Sequence, residues 1–311
     1  MLTAFFSPIE CRAHDMGRGH PECPQRLDAI LDHLRATGLD TGLDWRDAAP
    51  ASDEALARAH TAGYLGEIAD KMGRAAAEGR RVAIDPDTSA GPATAVAARL
   101  AAGAALAATD AVIDGTAANA FCAIRPPGHH ATRDAAMGFC FYNNVAVAAR
   151  HALDVRGLRR VAIIDFDVHH GNGTEDIVAG DERILMCSFF QHPLYPYSGA
   201  VPRGTNMVNV PLPPYAGGAA VRAAVEQQWL PALEAFAPEM LFVSAGFDAH
   251  RDDDLGQMAL VEADYAWITR QLMSVAARHA RGRLVSCLEG GYDLGALARS
   301  VAAHLRVLSG E

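Results

Sequence analysis

No C-x-x-C pair occurs among the six cysteines, Cys11, Cys23, Cys122, Cys140, Cys187 and Cys287. Their scattered spacing excludes a zinc finger and a thioredoxin-type motif and points to buried thiols in a reducing compartment. The N-terminal Met1-Leu2-Thr3-Ala4-Phe5-Phe6 lacks both the basic stretch and the long apolar stretch of a secretory signal. No uninterrupted apolar run approaches the length of a membrane span. A soluble, cytoplasmic protein without a membrane partner is expected. Cations are scarce too: 27 Lys+Arg stand against 37 Asp+Glu, a formal net charge of −10. A nucleic-acid partner is excluded on that ground, since its phosphates must be met by basic side chains. Cationic ligands such as amines or lysine side chains suit the charge better. Low-complexity linkers and fixed-period repeats are also missing, so residues 1–311 are expected to form one domain.

What is present is a core-forming chain, 50% hydrophobic and 21% charged. Leu27, Ile30, Leu31 and Leu34 follow helical spacing between Pro24 and Gly38, and the Ala- and Leu-rich stretch 93–113 stops at Gly115. Weaker helical patterns cover 144–153, 219–236, 263–279 and 294–308, and Pro231 should kink or interrupt the second of these. Between them lie four short apolar runs, 121–124, 161–164, 240–243 and 284–288. Strands alternating with helices predict an α/β fold with a parallel sheet covered on both faces. Ligands bind such sheets at the carboxyl ends of the strands.

All four runs end in chemistry-bearing residues: Arg125-Pro-Pro-Gly-His-His130, Asp165-Phe-Asp-Val-His-His-Gly171, Ser244-Ala-Gly-Phe-Asp248 and Glu289-Gly-Gly-Tyr-Asp293. If the chain stays extended after residue 164, alternation puts Asp165, Asp167 and His169 on one side. With Asp248 from another strand end, Asp167 and His169 make a three-ligand N/O set of the catalytic zinc kind, and Fe(II) or Co(II) would suit the same donors. His129 and His130 titrate near neutrality and can exchange protons with water and a leaving amine, with Asp165 and Asn172 available to fix their tautomers. Tyr292, on its Gly-Gly turn, can donate to a developing oxyanion. Taken singly, these residues would read as helix caps, polar loops and a core tyrosine. Their common placement at strand ends is what argues for a site.

The ordered motifs R-P-P-G-H-H-A, G-F-C-F-Y-N-N, D-F-D-V-H-H-G-N-G-T, S-A-G-F-D-A-H and E-G-G-Y-D resemble the zinc-dependent histone deacetylase family. The resemblance is to the class II variant, including the bacterial histone-deacetylase-like amidohydrolases. Together with His14-Asp-Met-Gly17 and His20-Pro-Glu-Cys-Pro-Gln-Arg-Leu27, the resemblance covers nearly the whole chain. It implies the arginase–deacetylase fold, one open parallel sheet of about eight strands flanked by helices. It also implies one Zn2+ per chain on Asp167, His169 and Asp248, with His130 as general base and His129 as its electrostatic and acid partner. Asp165 would bond His129, Asn172 would bond His130, and Tyr292 would polarise the acyl carbonyl. Gly138 and Phe139, with Tyr195, would wall the acyl-lysine tunnel, and Asp87 would bind the substrate backbone at its rim. Arg26 occupies the position of an arginine near an internal cavity proposed for acetate exit. A potassium ion is implied on backbone oxygens of Asp165, Asp167 and His169, with Ser188 and the carbonyl of Phe189.

The family implies hydrolysis of an acyl-lysine peptide or a small acyl-amine. Polyamine-type relatives carry a glutamate seven residues beyond the third zinc ligand, where this chain has Leu255. The run Asp252-Asp253-Asp254 beside it could partly substitute for that glutamate, but it reads sooner as an exposed acidic loop. Two rivals are a binuclear manganese ureohydrolase, disfavoured by Gly171, Gly246 and His250 where extra carboxylates would stand, and a non-catalytic acyl-lysine binder, disfavoured by the intact histidines and Tyr292. Oligomeric state has no signature in the sequence.

Overall fold

The computed structural model describes residues 2–311. Ten strands form: β1 Thr3–Phe6, β2 Leu43–Arg46, β3 Val82–Ala83, β4 Ser89–Ala90, β5 Asn119–Cys122, β6 Val161–Asp165, β7 Ile184–Gln191, β8 Met207–Leu212, β9 Leu241–Ala245 and β10 Leu284–Leu288. Eight make a single sheet in the order β2-β1-β5-β10-β9-β6-β7-β8, every pair parallel, while β3 and β4 form a small antiparallel ribbon apart from it. Every residue of β5, β6, β7, β9 and β10 is buried, as expected of parallel strands covered on both faces. The edge strands differ: β2 alternates with Asp44 and Arg46, and β8 carries Pro211, which an edge tolerates because it lacks a ladder N–H.

The helical expectations hold closely. Gln25–Thr37 ends on Gly38 at φ +73°, and Thr94–Ile113 is followed by Asp114 and left-handed Gly115. Near Pro231 the helix is interrupted as expected, and the form of the break is a wide π turn at Val225–Trp229, between helical segments Gly218–Ala224 and Leu230–Phe236. The opened turn absorbs the missing N–H of the proline. Three strand bounds shift: the run expected at 121–124 pairs over Asn119–Cys122, that at 161–164 extends to Asp165, and that at 240–243 pairs over Leu241–Ala245.

Helix Thr94–Ile113 is long and apolar enough as a whole to cross a bilayer, although Arg99 and Asp110 break its apolar run. Its small face, including Ala97, Ala101, Ala104, Ala105 and Ala108, is instead buried in the protein core, where the helix packs against helix Asn144–Asp154 and strands β5 and β10.

Candidate active site and metal centre

The sheet order explains why motifs far apart in sequence meet. β5, β10, β9 and β6 are consecutive neighbours, so their polar carboxyl ends open at one place. β6 closes on Asp165, and the chain then bends through Asp167 and His169 rather than continuing as a strand. One ligand atom from each of Asp167, His169 and Asp248 lies within 4.8 Å of the others. Both carboxylates are fully buried, and the imidazole is 11% exposed. His169 Nδ1 stands 3.0 Å from Asp167 Oδ1 and 3.1 Å from Asp248 Oδ2.

Backbone amides hold both acids in place. Asp167 accepts from His169 N–H at 2.8 Å and from Gly290 N–H at 2.9 Å, while Asp248 Oδ1 accepts from Val168 N–H at 2.9 Å. Asp248 Oδ2 is buried with no hydrogen-bond partner. Burial and the neighbouring Asp167 push the Asp248 carboxyl up to about 7. At His169 burial is outweighed by Asp167 and Asp248, which push the imidazole up to about 10. An orphaned oxygen within a crowded pair of acids calls for added positive charge, and the donor set fits a divalent cation.

The histidine pair stands beside this triad with opposite electrostatics. His129 Nδ1 donates to Asp165 Oδ2 at 3.0 Å, and its Nε2 lies 3.8 Å from Asp167 Oδ2. Burial would lower His129, but Asp167 and Asp165 outweigh it and raise it well above the ordinary range. His130 Nδ1 is 2.7 Å from Asn172 Oδ1, and Asn172 Nδ2 is directed at Met137 Sδ. That amide orientation makes His130 Nδ1 the donor and leaves a lone pair on Nε2. Burial, with His129 and His169 nearby, drives His130 well below the ordinary range. The two imidazoles, with ring centres 4.0 Å apart, are thus pushed in opposite directions.

A cavity of about 260 Å³ opens onto these groups, lined by Asp87, His130, Gly138, Phe139, His169, Leu194, Tyr195, Leu255 and Tyr292. It gathers the sequence-predicted tunnel residues, and Leu194 is the wall residue that sequence reasoning missed. Phe139 stands 6.0 Å from Tyr292 and Tyr195 stands 5.2 Å from His130, ring centre to ring centre. Asp87 is exposed at the rim, where its backbone oxygen meets His20 Nε2. A second hollow of about 480 Å³ lies on the far side of Asn172 and holds none of the triad. Arg26 stands outside the tunnel, fully buried behind the Tyr292 loop. Register sets Asp165 of β6 beside Ser188 of β7, with Phe189 next along the strand.

Three further acids serve the site without having been singled out. Glu289, the first residue of E-G-G-Y-D, accepts from Gly128 N–H, His129 N–H and Ser244 Oγ, so it ties three of the four strand ends together. Glu22, within the His20–Leu27 motif, is buried between Arg26 and Arg125. Asp253 is the third: Asp252 and Asp254 are exposed as expected of an acidic loop, but Asp253 is only 5% exposed. Its carboxylate takes N–H groups from Leu255, Tyr292 and Asp293, which is what lets it be buried.

A family model described as the histone deacetylase domain matches residues 20–308. The chain belongs to the histone deacetylase family. The histone deacetylase-like amidohydrolase of Pseudomonas aeruginosa is 42% identical over 283 residues, covering 88% of this chain and 73% of that protein. Human polyamine deacetylase HDAC10 is 38% identical over 312 residues, covering 94% of this chain and 45% of that protein. The crystal structure of the HDA15 HD domain matches with a TM-score of 0.91 at 33% identity, over 100% of this chain and 90% of that one. This histone deacetylase family member therefore has the arginase–deacetylase fold, and its relatives support hydrolase activity.

Proposed function

We propose that the chain is a zinc-dependent deacylase that hydrolyses N-acyl amides, with acyl-lysine as its substrate class. One observation carries this reading: His169 of the Asp167–His169–Asp248 triad, His130 of the histidine pair and Tyr292 line one aromatic-walled cavity. Asp167, His169 and Asp248 would hold the metal, which when bound polarises the acyl carbonyl and acidifies water at the site. His130, neutral and held through Nδ1 by Asn172, takes the water proton at Nε2. The charged partner His129 stabilises the negative charge that follows, and a protonated imidazole of the pair returns a proton to the leaving amine. Burial and the nearby Asp248 keep the Tyr292 phenol protonated, so that it donates to the developing oxyanion. A potassium ion on the backbone oxygens of Asp165, Asp167 and His169, with Ser188 and Phe189, belongs to the same proposal.

An acetylpolyamine substrate is the second reading, suggested by the name of the human relative. Leu255 presents an apolar side chain to the tunnel, and buried Asp253 is committed to three backbone amides, so neither supplies a carboxylate to a cationic substrate. Lysine-directed hydrolysis is favoured on that ground. A binuclear site is disfavoured by packing. A Cβ at Gly171 would stand 2.2 Å from Asp165 Oδ2, and one at Gly246 2.0 Å from Asp167 Oδ2, leaving no room for extra metal-bridging acids.

The test is a panel of acetyl-lysine peptides, longer acyl-lysines and acetylpolyamines on the zinc-loaded protein, each with and without a hydroxamate. Turnover of acyl-lysines is expected, with Tyr292→Phe slower by on the order of 10²–10³ while zinc is retained. Zinc and hydroxamate binding without turnover of any acyl-amine would favour a non-catalytic binder. Two manganese per chain with guanidino hydrolysis would overturn the proposal.

A further inference from the structure

A single peptide group sets the placement of Tyr292. Its carbonyl end, Gly291 O, accepts from Arg26 Nε at 2.6 Å, and its amide end, Tyr292 N–H, donates to Asp253 Oδ2 at 2.6 Å. A buried guanidinium and a buried carboxylate therefore hold the same peptide plane from opposite sides. The grip matters because the preceding glycines leave the backbone free, and Gly291 stands at φ +120°. Arg26 also donates to Glu289 O, and its guanidinium carbon lies 5.0 Å from the centre of the Tyr292 ring. Asp253 reaches further as well, accepting from Asp293 N–H through Oδ2 and from Leu255 N–H through Oδ1, each at 3.0 Å. Leu255 and Tyr292 both line the tunnel.

We infer that Asp253 is a positioning residue which, opposite Arg26, holds Tyr292 at the acyl carbonyl and seats Leu255 on the tunnel wall. One carboxylate would then couple the rate of the reaction to selectivity for the acyl chain. The inference rests on the reading of Tyr292 as the oxyanion donor. A carboxylate only accepts, so it can serve three N–H groups at once. Asparagine turns one of its two ends into a donor facing an N–H, which releases either the Tyr292 side or the Leu255 side of the clamp.

The experiment places Asp253→Asn in the wild-type and the Tyr292→Phe backgrounds of the zinc-loaded protein. Each variant is assayed on an acetyl-lysine and a longer acyl-lysine peptide, with zinc content and melting temperature measured alongside. In the wild-type background kcat should fall roughly 10–100-fold, as for loss of an outer-shell partner. In the Tyr292→Phe background the further loss should stay within about 3-fold, because the hydroxyl being positioned is already gone. The ratio of kcat/KM for the two acyl chains should change in Asp253→Asn and not in Tyr292→Phe. Equal losses in both backgrounds would overturn the clamp while leaving the deacylase reading intact, as would wild-type kcat with unchanged selectivity. Wild-type turnover in Tyr292→Phe would sink the oxyanion role and the clamp with it. Asp253→Ser, which keeps an acceptor without introducing an amide, is run in the same two backgrounds in case Asp253→Asn does not fold.

Discussion

Replacing Gly138 by alanine would press directly on the proposed base. Gly138 sits at φ +55°, and a Cβ there would stand 2.5 Å from His130 Cδ2 and 2.8 Å from its Cγ. Carbon atoms pack comfortably from about 3.5 Å, so the ring must retreat by about 1 Å. It has little freedom to do so, with Nδ1 2.7 Å from Asn172 Oδ1 on one side and the His129 ring on the other. A misplacement of about 1 Å at a reacting group costs on the order of 10²-fold in rate. Forcing a Cβ into the left-handed region adds about 1–2 kcal/mol of instability, independent of catalysis. Gly79→Ala separates the two effects, because Gly79 has φ +60° and nothing within 4 Å of the added Cβ. Denaturant unfolding should show both variants weakened by about 1–2 kcal/mol. Steady-state assay on an acetyl-lysine peptide should show only Gly138→Ala slowed, by on the order of 100-fold with zinc content unchanged. Wild-type kcat in Gly138→Ala, or an equal loss in Gly79→Ala, would refute the reasoning.

Two further outcomes are open to measurement. Zinc at 100 times its Kd should stabilise the protein by about 2.7 kcal/mol, a shift that chelation reverses and that Asp248→Asn removes; a full thermal shift in Asp248→Asn would contradict the ligand assignment. His304 is fully buried between Thr269 and Ser286, and burial lowers it to about 3. The unfolded chain binds this proton below about pH 6.5 and the folded chain does not, so stability falls as pH drops through that window, by about 1.4 kcal/mol per unit. Equilibrium unfolding at pH 7.5 and 5.5 should show a shallower loss for His304→Gln than for wild type, and parallel losses would reject the assignment.

Strand ends were legible because an apolar run that stops at a cluster of Asp, His and Gly has one sensible place in a parallel sheet. β10 followed from that pattern with its expected bounds, and β5, β6 and β9 with bounds shifted by one or two residues. β1, β2, β7 and β8 were not singled out: β2 is four residues of alternating character, and β8 contains Pro211, which reads against a strand. The metal-ligand set was legible as residue types, but that the triad assembles needed the sheet order, in which β9 and β10 return between β5 and β6. Asp253 was illegible for a sharper reason. Three aspartates in a row read as solvated, and what buries the middle one is a pair of N–H groups about 40 positions away in sequence. Glu22 was hidden likewise, since its partner Arg125 is 103 residues distant.

Five acids crowd these strand ends, Asp165, Asp167, Asp248, Asp253 and Glu289, each no more than 5% exposed. Buried charges persist only where they are answered, and each is answered differently. His129 meets Asp165, backbone amides from the β5 end meet Glu289, and amides of the Tyr292 loop meet Asp253. Asp167 faces both His129 and His169, whereas Asp248 Oδ2 has only His169 Nδ1 nearby, at 3.1 Å, and makes no hydrogen bond. The least compensated carboxylate among the five is therefore Asp248. A divalent cation placed there would relieve the repulsion between Asp167 and Asp248, which links metal binding to stability at that pair. Asp165, Asp253 and Glu289 then act through the groups they hold in place, and their loss should be read in rate and selectivity rather than in metal content.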